Sequence, residues 1–378
     1  MMTVKLYETD AYTRAFEATV LACEEHKKGF AVVLDRTAFF PEGGGQAADG
    51  GTLGDTAVRD VQIKEGIITH YTDRPLTVGD TVTAAIDWNT RYERMQQHTG
   101  EHLVSGLIHR TFGYDNVGFH MSDTVVTLDV SGPLTAEELA DIELRANRAV
   151  YENKAVFATY PTPEELETLD YRSKLELSHG VRLVTIEDYD LCACCAPHVK
   201  HTGEIGLIKL LSAVPYKGGT RIEMLSGLPA LRDYITLHDA SREMMRLLSA
   251  PRDKVAEFVT RDHDAMSALK ADNARLLDEL AMARFTTEAT AKGSVGFTAG
   301  AGFDGMKQCL DAMGGEGAVF SDNGDGTWRY ILASEQEDRR PLTKAMNEAL
   351  GGKGGGKPNF TQGSVTAAKD EILAFFNR

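Results

Sequence analysis

Two short stretches hold the residue types that metal ions need. Gln97-His98-Thr99-Gly100-Glu101-His102 lies within Arg91 to Arg110, a run without proline in which Met95, Leu103, Val104 and Leu107 recur at helical spacing. On a helix, His98 and His102 stack one turn apart and present two imidazoles to one ion. The second stretch, Cys192-Ala193-Cys194-Cys195-Ala196-Pro197-His198, sets a thiol and an imidazole four positions apart, with Pro197 keeping the backbone out of a regular helix. Two nitrogens from a helix with one sulfur and one nitrogen from a loop form the tetrahedral set that borderline-soft Zn²⁺ favours. Cys194 is the preferred sulfur, with Cys192 and Cys195 as alternatives. Each stretch alone has a plain reading, a chance HxxxH pair or a group of small buried thiols. Three of five cysteines in one heptapeptide tip the balance to metal.

The rest of the composition bounds what such a site can serve. With 378 residues, 42% hydrophobic and 25% charged, the chain reads as an ordinary globular protein of two or three domains. No apolar run resembles a signal peptide or reaches the length of a membrane span, which predicts a cytosolic protein whose odd number of thiols stays reduced. A net charge of -16 argues, as an average, against a nucleic-acid partner. Two segments depart from that average. Val199 to Arg221 holds Lys200, Lys209, Lys217 and Arg221 against Glu204 alone, and Gly351 to Lys369 holds Lys353, Lys357 and Lys369 without an acid. Both could meet phosphate.

The elements that must position the two stretches follow from pattern. Val4 to Tyr7, Phe16 to Cys23, Gly29 to Leu34, Val58 to Glu65, Ile67 to Tyr71 and Thr81 to Ile86 are short, β-branched or alternating, and predict a small β-barrel or sandwich over residues 1–90. Inside it, Thr37 precedes Phe40-Pro41-Glu42-Gly43-Gly44-Gly45-Gln46, where three glycines allow a close backbone approach. Residues 91–228 read as α+β: the histidine helix, two strands between Asn116 and Val130, a helix opened by Thr135 with Glu138 three residues on, and strands Val181 to Ile186 and Ile205 to Val214 around the cysteines. Residues 229–291 predict a helical hairpin or coiled-coil arm broken near Pro251. Residues 292–378 predict a small α/β domain, in which Gly351 to Ser364 is a glycine-rich loop carrying Lys353 and Lys357 ahead of a closing helix from Val365 to Asn377. The fold class is α+β.

Taken in order, these motifs resemble the freestanding AlaX-type alanyl-tRNA editing proteins, which are related to the editing and C-terminal domains of alanyl-tRNA synthetase. The resemblance rests on Thr37 with Phe40 to Gln46, on Gln97-His98 through His102, on Cys194 through His198 running into Thr202-Gly203-Glu204-Ile205-Gly206, and on Gly351 through Gln362. The terminal glycine loop is similar to that of the long subtype. No aminoacylation domain precedes the barrel, so charging of tRNA is not expected.

The resemblance implies hydrolysis of mischarged Ser-tRNA(Ala), with Gly-tRNA(Ala) as a further candidate, and zinc held by His98, His102, Cys194 and His198. Where the synthetase pattern reads Cys-Gly-Gly-Thr-His, this chain reads Cys194-Cys195-Ala196-Pro197-His198, leaving a spare thiol beside the metal. Thr37 is the expected partner of a seryl hydroxyl, and Gln46 a holder of substrate or water. His120, in Val117-Gly118-Phe119-His120, either touches the substrate or its 3′-terminal adenosine, or is a plain strand histidine. Zinc would either activate water or orient the substrate. Lys217, Arg221, Lys353 and Lys357 are the expected tRNA contacts, and the helical arm with the C-terminal domain offers a homodimer surface. The alternative is a zinc-stabilised tRNA-binding module without chemistry, whose metal would be enclosed by protein with no adjoining pocket.

Overall fold

The structure is a computed structural model that describes residues 3–122, 124–173 and 180–378. The chain divides into two compact units, Met1–Ala240 and Ser241–Arg378, and the division falls inside the helix Leu228–Leu248.

In the first unit, six strands pair antiparallel in the order Ala15–His26, Gly29–Leu34, Ile67–Thr72, Thr56–Lys64, Gly51–Leu53 and Thr81–Ile86, and the last returns to the first to close a barrel. Alternation puts Val20, Val32, Leu34, Leu53, Val61, Ile68 and Ala84 inside, where Phe39 and Phe40 join them. Val4 to Tyr7 departs from the strand its pattern predicts. Only Val4–Lys5 is extended, and Leu6–Thr9 turns as a short helix that drops Tyr7 edge-on against Phe40, ring centroids 5.5 Å apart. Burial of an aromatic ring outweighs a short strand's propensity.

The glycine loop leaves the barrel beside these phenylalanines. Gly45 has φ +82°, and a Cβ there would lie 2.6 Å from the Phe119 ring, so the position demands glycine. Its carbonyl accepts from the Met121 amide at 2.9 Å, which fastens the loop to the strand Asn116–Met121. A second tie is Arg91, fully buried, whose guanidinium donates to Ala38 O at 2.6 Å and, from Nε, to Asp49 Oδ2 at 2.9 Å.

The helix Trp88–Phe112 is buried without a break from Met95 to Ile108. Met95, Leu103, Val104, Leu107 and Ile108 pack with Leu128, Ile142, Ala146, Ile222 and Met224 into one core. Around the helix lie a four-stranded antiparallel sheet, in the order Ile208–Tyr216, Gly219–Ser226, Val126–Val130 and Asn116–Met121, and a three-stranded one, Val156–Thr159, Leu183–Ile186 and Asp190–Ala193. The Ala136–Glu152 helix opens on the expected capping box. Thr135 Oγ1 accepts from Glu138 N at 3.2 Å, and Glu138 Oε2 accepts from Thr135 N at 2.8 Å.

In the second unit the expected break at Pro251 is a single 3₁₀ turn, Arg252–Lys254, followed by the helix Val255–Ala283. A six-stranded sheet runs in the order Thr286–Thr290, Gly293–Ala299, Gly317–Asp322, Trp328–Ala333, Phe360–Val365 and Lys353–Lys357. Phe297, Phe320, Tyr330 and Phe376 form one of its cores, and Met306, Leu310, Val319 and Ile331 another. The glycine-rich loop predicted from sequence is instead a hairpin whose Lys353–Lys357 arm is an edge strand. Glycine has poor strand propensity, but a Cβ on Gly354 would lie 2.3 Å from Gln362 O and from Tyr330 Oη, so the close pairing depends on its absence. The closing helix starts at Lys369 rather than Val365 because Val365 ends the paired strand. Among the described residues, no helix is long and apolar enough to cross a membrane.

Candidate metal centre and its cavity

Seven polar side chains lie on the fully buried stretch of the Trp88–Phe112 helix: Gln96, Gln97, His98, Thr99, Glu101, His102 and Ser105. A helix that only packs would carry apolar residues there, so each of these needs a partner. Gln97 Oε1 accepts from Ser226 N at 2.6 Å, and Gln96 Nε2 donates to Glu204 O at 2.7 Å. These bonds fix the helix against the segment that follows His198.

The ligand atoms of His98, His102, Cys194 and His198 all lie within 4.8 Å of one another. Cys194 Sγ is 3.6 Å from His98 Nε2 and 3.4 Å from His198 Nε2. Nitrogen and sulfur ligands on one tetrahedral zinc sit roughly 3.5 Å apart, given metal–ligand distances of about 2.0–2.1 and 2.3 Å.

The hydrogen bonds behind the rings supply an independent test. His98 Nδ1 meets Gln46 Oε1 at 2.9 Å, and His102 Nδ1 meets Asp190 Oδ2 at 2.9 Å. His198 Nδ1 meets Thr99 Oγ1 at 3.0 Å, and that hydroxyl already gives its proton to Met95 O at 2.7 Å. All three partners accept, so each ring gives its Nδ1 proton to a fixed partner and turns Nε2 to the common point, which is how metal-bound histidines are usually held. The donor set therefore fits zinc.

Charge agrees for two of the ligands. Burial raises the Cys194 thiol, but His98 and His198 outweigh it and hold the group well below the usual thiol range. Burial pushes His198 down to about 3, so it stays neutral. For His102, burial lowers the pKa while Cys192 and Asp190 raise it above the usual value, so an ion binding Nε2 must displace a proton. Asp190 is itself kept below the usual carboxylate range: burial works against ionisation, and hydrogen bonds from His102 and from Arg172 (2.7 and 2.8 Å) prevail. The cysteine loop is pinned from behind by Arg182, whose Nη1 donates to Cys194 O at 2.9 Å and Ala196 O at 3.0 Å.

A cavity of about 510 Å³ opens beside the cluster and is lined by His98, His102 and Cys194 together with Glu101, Asn116, Phe119, Arg172 and Arg182. Cys192 and Cys195 line it as well. Cys195 is exposed, and a Cβ on Gly44 would lie 3.7 Å from its sulfur.

Not every residue singled out by sequence stands here. Phe119 lies against the His98 ring, centroids 4.7 Å apart, while His120 is exposed on the same strand. Gln46 is buried behind His98, and its Nε2 has no partner among the described residues. Thr37 is fully buried in the barrel and does not line the cavity. Its hydroxyl lies 2.8 Å from His70 Nε2 and accepts from Phe39 N at 3.1 Å. His70, pushed down to about 4 by burial, points Nδ1 at Val32 O, an acceptor, so Nε2 is the nitrogen that takes the Thr37 proton. Thr37→Val should therefore leave a buried nitrogen unpaired and destabilise the barrel by about 1–3 kcal/mol, read as a lower thermal midpoint. An unchanged midpoint would mean that water or a neighbour replaces the hydroxyl.

The expected tRNA contacts also differ among themselves. Arg221 is held bidentately by Asp129, both bonds 2.7 Å, and lies 3.7 Å from the centre of the Tyr216 ring. Lys217 sits in the adjoining turn and is exposed, as are Lys353 and Lys357 on their edge strand. Sequence reasoning passed over Asp190, Arg172, Gln97, Thr99 and Phe119. The available signal was a helix whose apolar residues recur at helical spacing and yet are crowded by polar side chains.

Two family descriptions match the chain: tRNA synthetases class II (A) over residues 8–90, and Threonyl and Alanyl tRNA synthetase second additional domain over residues 181–223. Over 386 residues the chain is 30% identical to alanyl-tRNA editing protein Aarsd1 of Mus musculus, an alignment covering 96% of this chain and 94% of that one. It is 28% identical over 398 residues to alanyl-tRNA editing protein AlaX-L of Pyrococcus horikoshii, covering 98% and 97% of the two. The alanine–tRNA ligase of Ignicoccus hospitalis is 35% identical over 261 residues, 65% of this chain and 28% of the ligase. With 30% identity running over nearly the full length of both chains, the chain belongs to the family of alanyl-tRNA editing proteins.

Proposed function

We propose that the chain is a trans-editing hydrolase, an aminoacyl-tRNA deacylase, that removes serine from mischarged Ser-tRNA(Ala), with Gly-tRNA(Ala) as a further candidate substrate. Family membership supports the editing reaction. The observation that carries the chemistry is the cavity against three of the four metal donors. A zinc that only stapled an RNA-binding module would have no need of such a space. His98, His102, Cys194 and His198 would hold the ion, which when bound supplies a Lewis acid for an ester carbonyl or lowers the pKa of water to about 7.

The chain's own residues do the positioning. Gln46, Asp190 and Thr99 hold the three imidazoles in one tautomer, and Arg182 holds the cysteine loop. Gln46 Nε2, buried and without a partner among the described residues, is the proposed donor to water or substrate. For selectivity we keep Thr37 as the proposed partner of the seryl hydroxyl, through the one lone pair its two hydrogen bonds leave. Loss of serine-over-alanine discrimination in folded Thr37→Val would support that role, and full discrimination would end it. His120 is retained as a proposed contact of the 3′-terminal adenosine, reached from the exposed face of its strand.

Lys217, Arg221, Lys353 and Lys357 are the proposed tRNA contacts. Arg221 is the weakest of them because Asp129 already compensates its charge. Replacing Lys353 and Lys357 together with glutamine should flatten the salt dependence of tRNA affinity by roughly 0.9 in log–log slope for each duplex phosphate deprived of its lysine, leaving the rate at saturating tRNA unchanged. An unchanged slope would assign the edge strand another purpose. The four-part division at residues 90, 228 and 291, a cytosolic location and a homodimer through the helical arm are part of the same proposal, and sedimentation tests the last.

The deciding experiment is deacylation of purified Ser-tRNA(Ala) and Gly-tRNA(Ala) by the zinc-loaded protein, with Ala-tRNA(Ala) as control. Hydrolysis of serine or glycine and sparing of alanine is expected. Tight tRNA binding without hydrolysis of any ester would favour the binding module instead.

A further inference from the structure

On the assumption that the cavity is an ester-hydrolysing site as just proposed, we infer that Glu101 is its general base, the carboxylate that takes a proton from the attacking water. Glu101 follows His98 by three positions, so the two side chains are neighbours on the helix surface. Its carboxylate is outside the group of ligand atoms formed by His98, His102, Cys194 and His198. It is 2% exposed and yet lines the cavity with three of those residues.

Glutamate is almost never buried this deeply unless a cation pairs with it. Among the described residues, Glu101 makes one hydrogen bond, from Asn116 Nδ2 to Oε1 at 2.8 Å, and no salt bridge. The direction of that bond is set, because Asn116 Oδ1 accepts from Gly118 N at 3.2 Å, which turns the amide nitrogen to Glu101. One carboxylate oxygen is anchored and its acceptor capacity is far from filled.

The other acids on the cavity are committed elsewhere. Glu8 holds Lys5 at 2.9 Å and Tyr160 at 2.8 Å, and Asp115 is exposed and pairs with His109 at 3.2 Å. Of the cations on the cavity, Arg172 lies within electrostatic reach of Glu101 but gives its hydrogen bonds to Asp190 and Ser105, and Arg182 gives its own to the cysteine loop. A glutamate beside two metal-ligating histidines of one helix is the arrangement by which H-x-x-E-H enzymes deprotonate water.

The step balances within the site. The water oxygen forms a bond to the ester carbonyl carbon as one of its protons passes to Glu101. The carbon–oxygen bond to the ribose then breaks, its electron pair stays on the ribose oxygen, and Glu101 returns the proton there to give the free hydroxyl. The second water proton leaves with the amino acid's carboxyl group and is lost to solvent on ionisation.

The test is Glu101→Gln in the full-length protein, which keeps the side chain's shape and its bond from Asn116. Three quantities are read: zinc per chain, affinity for 3′-deoxy-3′-(L-serylamino)adenosine, a non-hydrolysable amide analogue, and the single-turnover deacylation rate. The rate should fall by on the order of 10²–10⁴, with zinc content kept and analogue affinity within about twofold. Glu101→Ala should regain part of its activity with added formate, a small exogenous base, as a purely structural carboxylate would not.

Two results would overturn the assignment: an analogue affinity that weakens as much as the rate falls, which would make Glu101 an anchor for the substrate's ammonium group, or loss of zinc or of fold in both variants. A rate within about threefold of wild type beside an active wild-type control refutes Glu101 alone. A wild type that hydrolyses no aminoacyl ester refutes the editing reading, and this inference with it.

Discussion

Cys194→Ala is expected to reduce zinc from about one per chain to near none and to abolish deacylation. A metal's charge on a reacting carbonyl or water is worth several kcal/mol, and at 1.36 kcal/mol per decade the loss amounts to roughly a thousandfold or more in rate. The sulfur lies within 3.6 Å of two imidazole nitrogens, on a loop that Arg182 pins. Stability should drop as well, because the ion joins ligands from distant parts of the chain and its binding energy is then folding energy. Elemental analysis with a thermal melt reads both. Full zinc in Cys194→Ala, with loss in Cys192→Ala or Cys195→Ala, would move the sulfur to a neighbouring residue. Cys192 is the stronger rival, since its sulfur lies with His102 and Asp190 in a second candidate group.

Asp190→Asn carries the second large effect although it touches no ion. Its carboxylate accepts from His102 and from both Nε and Nη2 of Arg172, and it is only 2% exposed at the side chain. Neutralising it leaves the Arg172 guanidinium, 13% exposed, without its counter-charge, at a cost on the order of 3–5 kcal/mol. It also frees the His102 ring to turn, which should weaken zinc binding by about 10–100-fold. The two losses separate in the double variant Asp190→Asn with Arg172→Met: removing the stranded charge should restore much of the stability and none of the zinc affinity. Restoration of both would show that Asp190 serves Arg172 and not the metal ligand.

The four residues that the structure groups within 4.8 Å were legible as two pairs, His98 with His102 and Cys194 with His198, because each pair depends on local spacing, which a sequence displays directly. The barrel strands Gly29–Leu34 and Thr81–Ile86 were legible for the same reason, their alternation matching one buried face. What could not be read were partners set by long-range packing. Asp190 reaches His102 across 88 positions, and Gln46 reaches His98 across 52. His120 and Phe119 are neighbours in sequence, and only the pleat of their strand and its contact with the His98 ring tell which faces the histidine cluster. Lys353–Lys357 looked like a loop because glycine has little strand preference of its own, whereas pairing with Phe360–Val365 supplies the order that propensity lacks.

The distance along the chain between the four candidate ligands also sets an order of events at the ribosome. All six barrel strands lie between Ala15 and Ile86, so that sheet can close as soon as those residues emerge. His98 then waits for Cys194, 96 positions behind it, which takes about 5–20 s at roughly 5–20 residues per second. Until residues 190 to 198 are made, His102 lacks Asp190 and Thr99 lacks His198. The polar helix therefore stays incompletely docked until the cysteine loop arrives, and the part of the first unit built around that helix is the last to become protected from proteases and from hydrogen exchange.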